Sequence, residues 1–313
     1  TTARHLPAGT RGHPHLRGGH QHQPLEGMSV SEPKDYYGHV TAENTNDAVE
    51  VGFEASTDQW WVRVEAPIMM QFVKYLMRVA EDAIIVVTKT GLAARVVDAM
   101  HISMFTVKTP DCEFDFARQA RGADYVDDVG IAGEIYINLI DLSKCFDKDE
   151  SHVTLVFKGD PFDELLVVND DCQTTLKGID INTALRPRIP DIMFGTMCIV
   201  DSPTLVKGAK RMADVTDKVI LRATDGDVKF SAVSASVSRQ FNLGEQLGED
   251  ARSSYALEHL RNFINVLPTS KKGKINVRLS WNNNHPVLIE SVTDTPDLTE
   301  WAFFLAPHIE GDA

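Results

Sequence analysis

Trp301-Ala-Phe-Phe-Leu-Ala-Pro-His-Ile-Glu310 is an apolar, strand-like run that Pro307 breaks, leaving Ile309 beyond the break. An apolar residue stranded outside the strand it follows needs a surface to pack on or a partner to receive it. It is read together with an upstream stretch, Asp98-Ala-Met-His-Ile-Ser-Met104. What the two stretches do depends on how the chain between and before them is organised.

That chain repeats one plan twice. Pro67–Glu81 places Ile68, Phe72, Leu76 and Val79 at helical spacing, with Lys74 and Arg78 on another face. Two β-rich runs follow, Ala83–Thr88 and Leu92–Val97, joined by a turn at Lys89-Thr-Gly91. Ser202–Asp214 restates the theme: Ser202 and Pro203 make a good helix start, and Leu205, Ala209 and Met212 form a stripe beside Lys207, Lys210 and Arg211. Its paired strands, Lys218–Ala223 and Val228–Val233, flank Asp225-Gly226, a strong hairpin signal. Two shorter helical patterns, Asn138–Phe146 and Ala256–Val266, lead into strands at His152–Lys158 and Lys274–Trp281. A repeat of roughly 120 residues is too long for a solenoid and predicts two copies of one β-rich α+β domain. Between the copies, Ile181-Asn-Thr-Ala-Leu-Arg-Pro-Arg-Ile-Pro190 has two prolines and no clean period, which marks an extended linker.

The totals are consistent with this. At 313 residues and 43% hydrophobic content the chain can bury two cores of ordinary size. No stretch approaches the ~18–20 continuous apolar residues of a membrane span. Residues 1–27 hold five of the eleven histidines and lack the apolar core of a secretory signal. They read as a disordered tail ahead of a natural start at Met28. The pairs His13/His15 and His20/His22 offer weak metal ligation at most. Residues 28–58 are polar and acidic, as in Thr41-Ala-Glu-Asn-Thr-Asn-Asp47, and read as a loop-rich extension; compact sequence begins near Trp60. The four cysteines, Cys112, Cys145, Cys172 and Cys198, form no C-x-x-C pair, which argues against a zinc site and says little for disulfides.

Catalytic signatures are missing from the sequence: no G-x-S-x-G, G-x-x-x-x-G-K-S/T, H-E-x-x-H or G-x-G-x-x-G occurs. Asp127/Asp128 and Asp170/Asp171 fall in loop-like stretches, where solvated charge is the commoner explanation. His101, His259 and His285 are far apart with no evident acid-base partner in the sequence, although triads are assembled in space. The net charge of −14 argues by itself against nucleic-acid binding. A basic strip can nevertheless sit inside an acidic shell. Helical patterns of both copies carry Lys or Arg: Lys74 and Arg78, then Lys207, Lys210 and Arg211, with Lys144, Lys148 and Arg261 on the other two. For one helix a solvated face with snorkelling side chains is the plainer account. Recurrence in both copies favours a common surface facing phosphates, independent of base sequence.

Two similar domains of two helices each, a proline-containing connector and a C-terminal strand ending Ala306-Pro-His-Ile-Glu310 together resemble the proliferating cell nuclear antigen (PCNA) family of DNA sliding clamps. The resemblance covers roughly Trp60 to Glu310, at low identity. It implies a DNA clamp fold with clamp domains at 59–180 and 194–313 and a connector at 181–193. It also implies helices lining the inner face, sheets outside, and three subunits closing head to tail into a homotrimeric ring. Pairing strand edges between subunits also removes exposed edges. By alignment, the strand around Gln173–Ile179, with Thr175, Lys177 and Ile179, meets the strand around Ser236–Leu243 of a neighbour, with Val237, Arg239 and Phe241. The family's groove for partner peptides maps to Val97, His101, Ile102 and Met104, to Leu185, Ile189 and Pro190 of the connector, and to Pro286, Phe304, Ala306, Pro307 and Ile309. Lys144, Lys207 and Lys210 fall where the family has basic residues, whereas Met70, Gln71 and Asp147 fall where it often has lysine. The lining is thus less positive than usual, which a clamp tolerates because topology holds it on the duplex.

The function implied is that of a processivity factor on duplex DNA. It would tether DNA polymerase, clamp loader, flap nuclease and ligase by short hydrophobic peptides, with no catalysis, metal, cofactor or membrane. An acidic exterior suits a high-salt cytoplasm and points to an archaeon or one of its viruses. The implied location is cytoplasmic and nucleoid-associated there, nuclear in a eukaryote. Two alternatives stay open: a subunit of a heterotrimeric or checkpoint-type clamp, and an enzyme with a spatially assembled acidic site.

Overall fold

Both halves of the chain carry the same order of elements. In the computed structural model, which describes residues 48–57, 59–114, 130–189, 192–269, 273–292 and 299–308, the first half runs β1 (Val49–Glu54), β2 (Gln59–Glu65), α1 (Ala66–Leu76), β3 (Asp82–Thr88), β4 (Gly91–Val97), β5 (Ser103–Lys108), β6 (Ile131–Asn138), α2 (Leu139–Ser143), β7 (His152–Gly159), β8 (Phe162–Val168) and β9 (Gln173–Lys177). The second runs β10 (Thr196–Asp201), α3 (Ser202–Ala213), β11 (Lys218–Thr224), β12 (Asp227–Val233), β13 (Ser238–Glu245), β14 (Leu247–Gly248), β15 (Ala251–Ala256), α4 (Leu257–Ile264), β16 (Asn276–Trp281), β17 (Val287–Val292) and β18 (Glu300–Leu305). With β1 and the short β14 set aside, the two series match element for element.

The pairing matches too. One sheet has the order β1-β2-β7-β8-β9, a second β13-β12-β11-β15, and a third, nine-stranded, β14-β10-β16-β17-β18-β5-β4-β3-β6. The set β2-β7-β8-β9 thus corresponds to β10-β16-β17-β18, and β5-β4-β3-β6 corresponds to β13-β12-β11-β15. The nine-stranded sheet exists because β18 pairs antiparallel with β5, Phe303 opposite Phe105 and Trp301 opposite Val107. That ladder joins the two halves.

Local sequence explains the elements. Asp201 caps α3 by accepting the Thr204 N–H at 2.8 Å, with Pro203 in the first turn. Asn138 caps α2 in the same way through the Asp141 N–H. Asp225 and Gly226 both have positive φ (53° and 83°) in the tight turn between β11 and β12, as the sequence predicts for an Asp-Gly hairpin. Gly208 lets α3 approach β13, since a Cβ there would lie 2.8 Å from the Phe241 ring.

Where the halves meet, the core is aromatic. Phe263 of α4 stacks on Phe303 of β18 with centroids 4.3 Å apart and planes 9° from parallel. Phe263 also lies 5.3 Å from Phe105, and Tyr75 of α1 lies 5.8 Å from Phe105. All four are buried, so hydrophobic burial plus ring geometry holds the joint.

Three expectations need adjustment. The first helix ends at Leu76, and Val79 lies in the turn after it rather than on the helical stripe. The loop-rich extension expected over 28–58 contains a strand at its end: Val49, Val51 and Phe53 alternate along β1, which pairs with β2, and Phe53 sits 5.3 Å from Trp60. That period-two signal was legible beside the acidic residues that obscured it. Lys274 and Ile275 precede β16, which begins at Asn276. Residues 1–27, the remainder of the extension to 47, and Asp127/Asp128 lie outside the described residues.

Candidate functional site

Three surfaces bear on function: one face of the nine-stranded sheet, the helices, and two sheet edges.

Strand register builds the first. Val97 of β4 faces Met104 of β5, Met104 faces Phe304 of β18, and Phe304 faces Leu288 of β17. Their side chains share the face opposite the aromatic core, because alternate residues point to opposite faces. Val97 and Leu288 are half-buried, while Met104 and Phe304 are nearly covered. At the end of this row the Ala306 N–H donates to the Ile102 carbonyl at 2.8 Å, so Pro307 follows directly beside the loop that carries His101. Pro286 precedes Val287, which faces Leu305, and so closes the same end. The structure therefore brings together Val97, Ile102, Met104, Pro286, Phe304, Ala306 and Pro307. His101 stands exposed at the loop tip with φ of 57°. Pro190 and Ile309 lie outside the described residues.

The connector crosses the same sheet face. Arg95 Nη1 donates to the Pro187 carbonyl at 2.5 Å, and Arg186 pairs with Glu134 at 2.7 Å. Burial pulls the Arg95 guanidinium down to about 10, which leaves it charged at neutral pH. Ile189 packs on a satellite cluster of Val86, Ala93, Cys112 and Phe114. From Pro187 to Ile189 the connector thus runs opposite in direction to β4, and Leu185 ahead of it is 57% exposed. Ile189 is spent on that cluster rather than on the row containing Met104.

Asp98 fixes the loop between β4 and β5. Its carboxylate accepts the N–H groups of Met100, Ile102 and Ser103 and the Ser103 hydroxyl, at 2.7–3.0 Å. Burial would raise its pKa. The Ser103 hydroxyl, the Ile102 and Ser103 amides and nearby His259 outweigh that and hold the carboxyl below its usual range. His259 Nδ1, on α4, lies 3.7 Å from Asp98 Oδ2. This pairing was invisible in the sequence, where the two stand in different halves. Leu288 was also missed, although the alternation Val287-Leu-Ile289 carries its signal.

Lys74 lies on α1, Lys207, Lys210 and Arg211 on α3 and Arg261 on α4. Arg78 falls past the end of α1, and Lys144 and Lys148 past the end of α2, because both helices stop short of the patterns read in the sequence. Lys74, Lys144, Lys148, Lys207, Lys210, Arg211, Arg78 and Arg261 are all exposed. Lys74, Arg78 and Lys148 rim an open cavity of about 860 Å³ between α1, the turn after α2 and the segment joining α4 to β16. Lys207, Lys210 and Arg211 line a smaller hollow of about 410 Å³ along α3. Lys144 is paired with Asp141 at 2.8 Å, which competes with any external anion. Arg211 faces two ways: its guanidinium lies 5.5 Å over the Phe241 ring, and its carbonyl accepts from Arg239 Nη1 at 2.7 Å.

Of the six edge strands among the described residues (β1, β9, β14, β6, β13 and β15), β9 and β13 are the positional counterparts of the joined pair β18 and β5. Thr175 is exposed on β9, and Lys177 is tied to Glu164 of the neighbouring strand. Ile179 lies past the strand end, its N–H donating to the Tyr136 carbonyl. Val237, 44% exposed, sits just before β13. Arg239 reaches Asp214 at 3.2 Å, and Phe241 is half-buried under Arg211.

Among the described residues no group of three or more His, Cys, Asp or Glu side chains is placed to hold a metal, and no helix is long and apolar enough to cross a membrane. No protein-family model matches the chain. Known proteins do resemble it. A probable DNA polymerase sliding clamp of Paramecium bursaria Chlorella virus 1 is 25% identical over 233 residues, which cover 72% of this chain and 81% of that relative. A DNA polymerase sliding clamp of Thermoplasma acidophilum is 22% identical over 245 residues, 75% of this chain and 93% of the relative. Among solved structures, A. fulgidus PCNA with the C-terminal region of FEN-1 bound matches with a TM-score of 0.65 at 19% identity, over 80% of this chain and 98% of that one. At that identity the structural likeness speaks to the fold.

Proposed function

We infer that this chain is a DNA sliding clamp of the PCNA family, a processivity factor that encircles duplex DNA and tethers DNA polymerase and other replication enzymes. One observation carries the reading. Within the chain β18 pairs with β5, whereas their counterparts by position, β9 and β13, are left as open edges. A second copy supplies what each edge lacks. β9 pairs with β13 of a neighbour as β18 pairs with β5, and the joint repeats head to tail until it closes. Closure also covers these two edges, which would otherwise be open to pairing with other chains.

In this reading the ring is a homotrimer. Thr175, Lys177 and Ile179 meet Val237, Arg239 and Phe241 across each joint. Lys74, Arg78, Lys148, Lys207, Lys210 and Arg261 face phosphates, with Lys144 weakened by Asp141 and Arg211 shared with the joint. The row from Val97 to Phe304, the loop at Ile102 and Pro307 receive the hydrophobic peptide of polymerase, clamp loader, flap nuclease or ligase. The chain itself makes and breaks no bond, and it works wherever the DNA is: in the nucleoid of a prokaryote, under viral control, or in a nucleus.

Light scattering after size exclusion, at low and at molar salt, tests this. The expected species has about three times the 34.7 kDa chain mass, and Val237→Asp reduces it to one chain. A monomer at every salt and concentration would overturn the homotrimer, and assembly only with sister subunits would replace it by a heterotrimer.

A further inference from the structure

The cavity beside α1 is built for more than phosphate contact. A surface that only slides along a duplex needs cations on open ground. Here Lys74, Arg78 and Lys148 stand around a hollow of about 860 Å³ whose apolar wall includes Met70, Met77 and Phe146. That volume is within the range of small-molecule sites, roughly 300–1,000 Å³. None of its described lining residues is a carboxylate; Asp147 and Asp149 flank Lys148 in the chain but are not among that lining, in a protein whose net charge is −14. Met77 is 38% exposed and Phe146 half-buried, so apolar surface stands open to solvent.

We propose that this cavity binds a nucleotide, with the base against Phe146, Met70 and Met77 and the phosphate on Lys74, Arg78 and Lys148. The chemistry on the two sides is complementary. An aromatic ring accepts any base by its π face. Thioethers adapt their shape to a flat ligand and pack well on aromatic edges. Ammonium and guanidinium groups bind phosphate by charge-assisted hydrogen bonds. An inorganic anion would leave the apolar wall unused, and a neutral apolar ligand would leave the cations unpaired. The nucleotide comes either from the free pool or from an unpaired position of a DNA strand held at the helical face. The second source rests on the clamp reading; the site itself does not.

Calorimetric titration of the full chain with dAMP, deoxyadenosine and inorganic phosphate tests the site. dAMP is expected to bind at least about tenfold more tightly than either fragment. Lys148→Glu, an exposed position that leaves folding alone, is expected to weaken dAMP about tenfold (each tenfold being 1.4 kcal/mol). Phe146→Ala should do the same by removing the stacking surface. Equal affinity for dAMP and inorganic phosphate, or dAMP binding unmoved by Lys148→Glu, would overturn the proposal. Competition assigns the source. Displacement of dAMP by a short single-stranded oligothymidylate at a lower concentration than by blunt duplex, whose phosphates compete for the same cations, points to an unpaired strand, and no such preference points to the free pool. Loading on circular DNA is measured with the same preparations. Normal loading without dAMP binding removes the pocket alone, and dAMP binding without loading removes the clamp reading alone.

Discussion

Ala306 donates its N–H to the carbonyl of Ile102 across 2.8 Å. One residue follows the last strand and the other precedes β5, so a single hydrogen bond closes the end of the β18–β5 ladder. It places Pro307 against the loop that Asp98 organises. The proposed peptide groove and the joint between halves are thus one construction, and disturbing the joint should disturb the groove.

Ile102→Ala with Pro307→Ala should weaken binding of a polymerase C-terminal peptide. Hot-spot side chains typically contribute more than ~1 kcal/mol each, so a loss of about tenfold or more is expected. Unchanged affinity by calorimetry would remove these residues from the groove.

Lys207→Glu with Lys210→Glu should leave the oligomer intact and lower both loading and polymerase stimulation. If both contact phosphate, the log–log salt dependence of DNA binding becomes shallower by about 2, since each contact contributes roughly 0.9. An identical salt slope would place them away from DNA.

Asp98→Ala removes the acceptor of three amides and one hydroxyl. A loss of about 1–3 kcal/mol in stability is expected from stranding such partners, together with weaker peptide binding. Because the folded carboxyl titrates below its ordinary value, its stabilisation is fully present above the unfolded pKa and is lost as pH falls through the folded one. Denaturant titrations of wild type and variant should therefore converge at strongly acid pH. A constant gap down to the lowest pH at which the fold survives would argue against this role.

Phe263→Ala should cost about 3–5 kcal/mol, the usual penalty for emptying a large buried aromatic site. Phe263 contacts rings from both halves, so the two should lose stability together in a single transition by circular dichroism. Separate transitions in the wild type would show the halves to be uncoupled.

Cysteine labelling should be selective. Burial pushes the Cys198 thiol up to about 11 and raises Cys112 and Cys145 as well, and the thiolate is the reactive form. Only Cys172 is exposed, so mild alkylation should modify it alone until the protein is unfolded. Cys172 adjoins β9, and dilution that dissociates a ring should speed its labelling. Rapid modification of Cys198 in the native protein would contradict the packing described.

The sequence was informative wherever structure is locally encoded. Proline and serine at 202–203, the Asp225-Gly226 turn and the stripe of Leu205, Ala209 and Met212 specified helix and hairpin to within a residue or two. The cations of α1, α3 and α4 were equally plain, because charge on a solvated face needs no tertiary context, whereas Arg78, Lys144 and Lys148 fall past the helix ends. Strand order was not legible: β5 and β18 lie nearly two hundred residues apart in a chain of 313, and no periodicity states which edge meets which. For the same reason His259 shows no partner until the fold carries it to Asp98, and the cluster on which Ile189 packs is not legible in the connector itself.

By itself, then, the sequence determined a twice-repeated α+β plan, the helices bearing the cations and the two apolar stretches that carry the family resemblance. Tertiary structure alone decided that one pair of equivalent edges is joined within the chain and the other left open. Local preferences set each element's own geometry, whereas edge pairing depends on which surfaces the complete fold leaves uncovered.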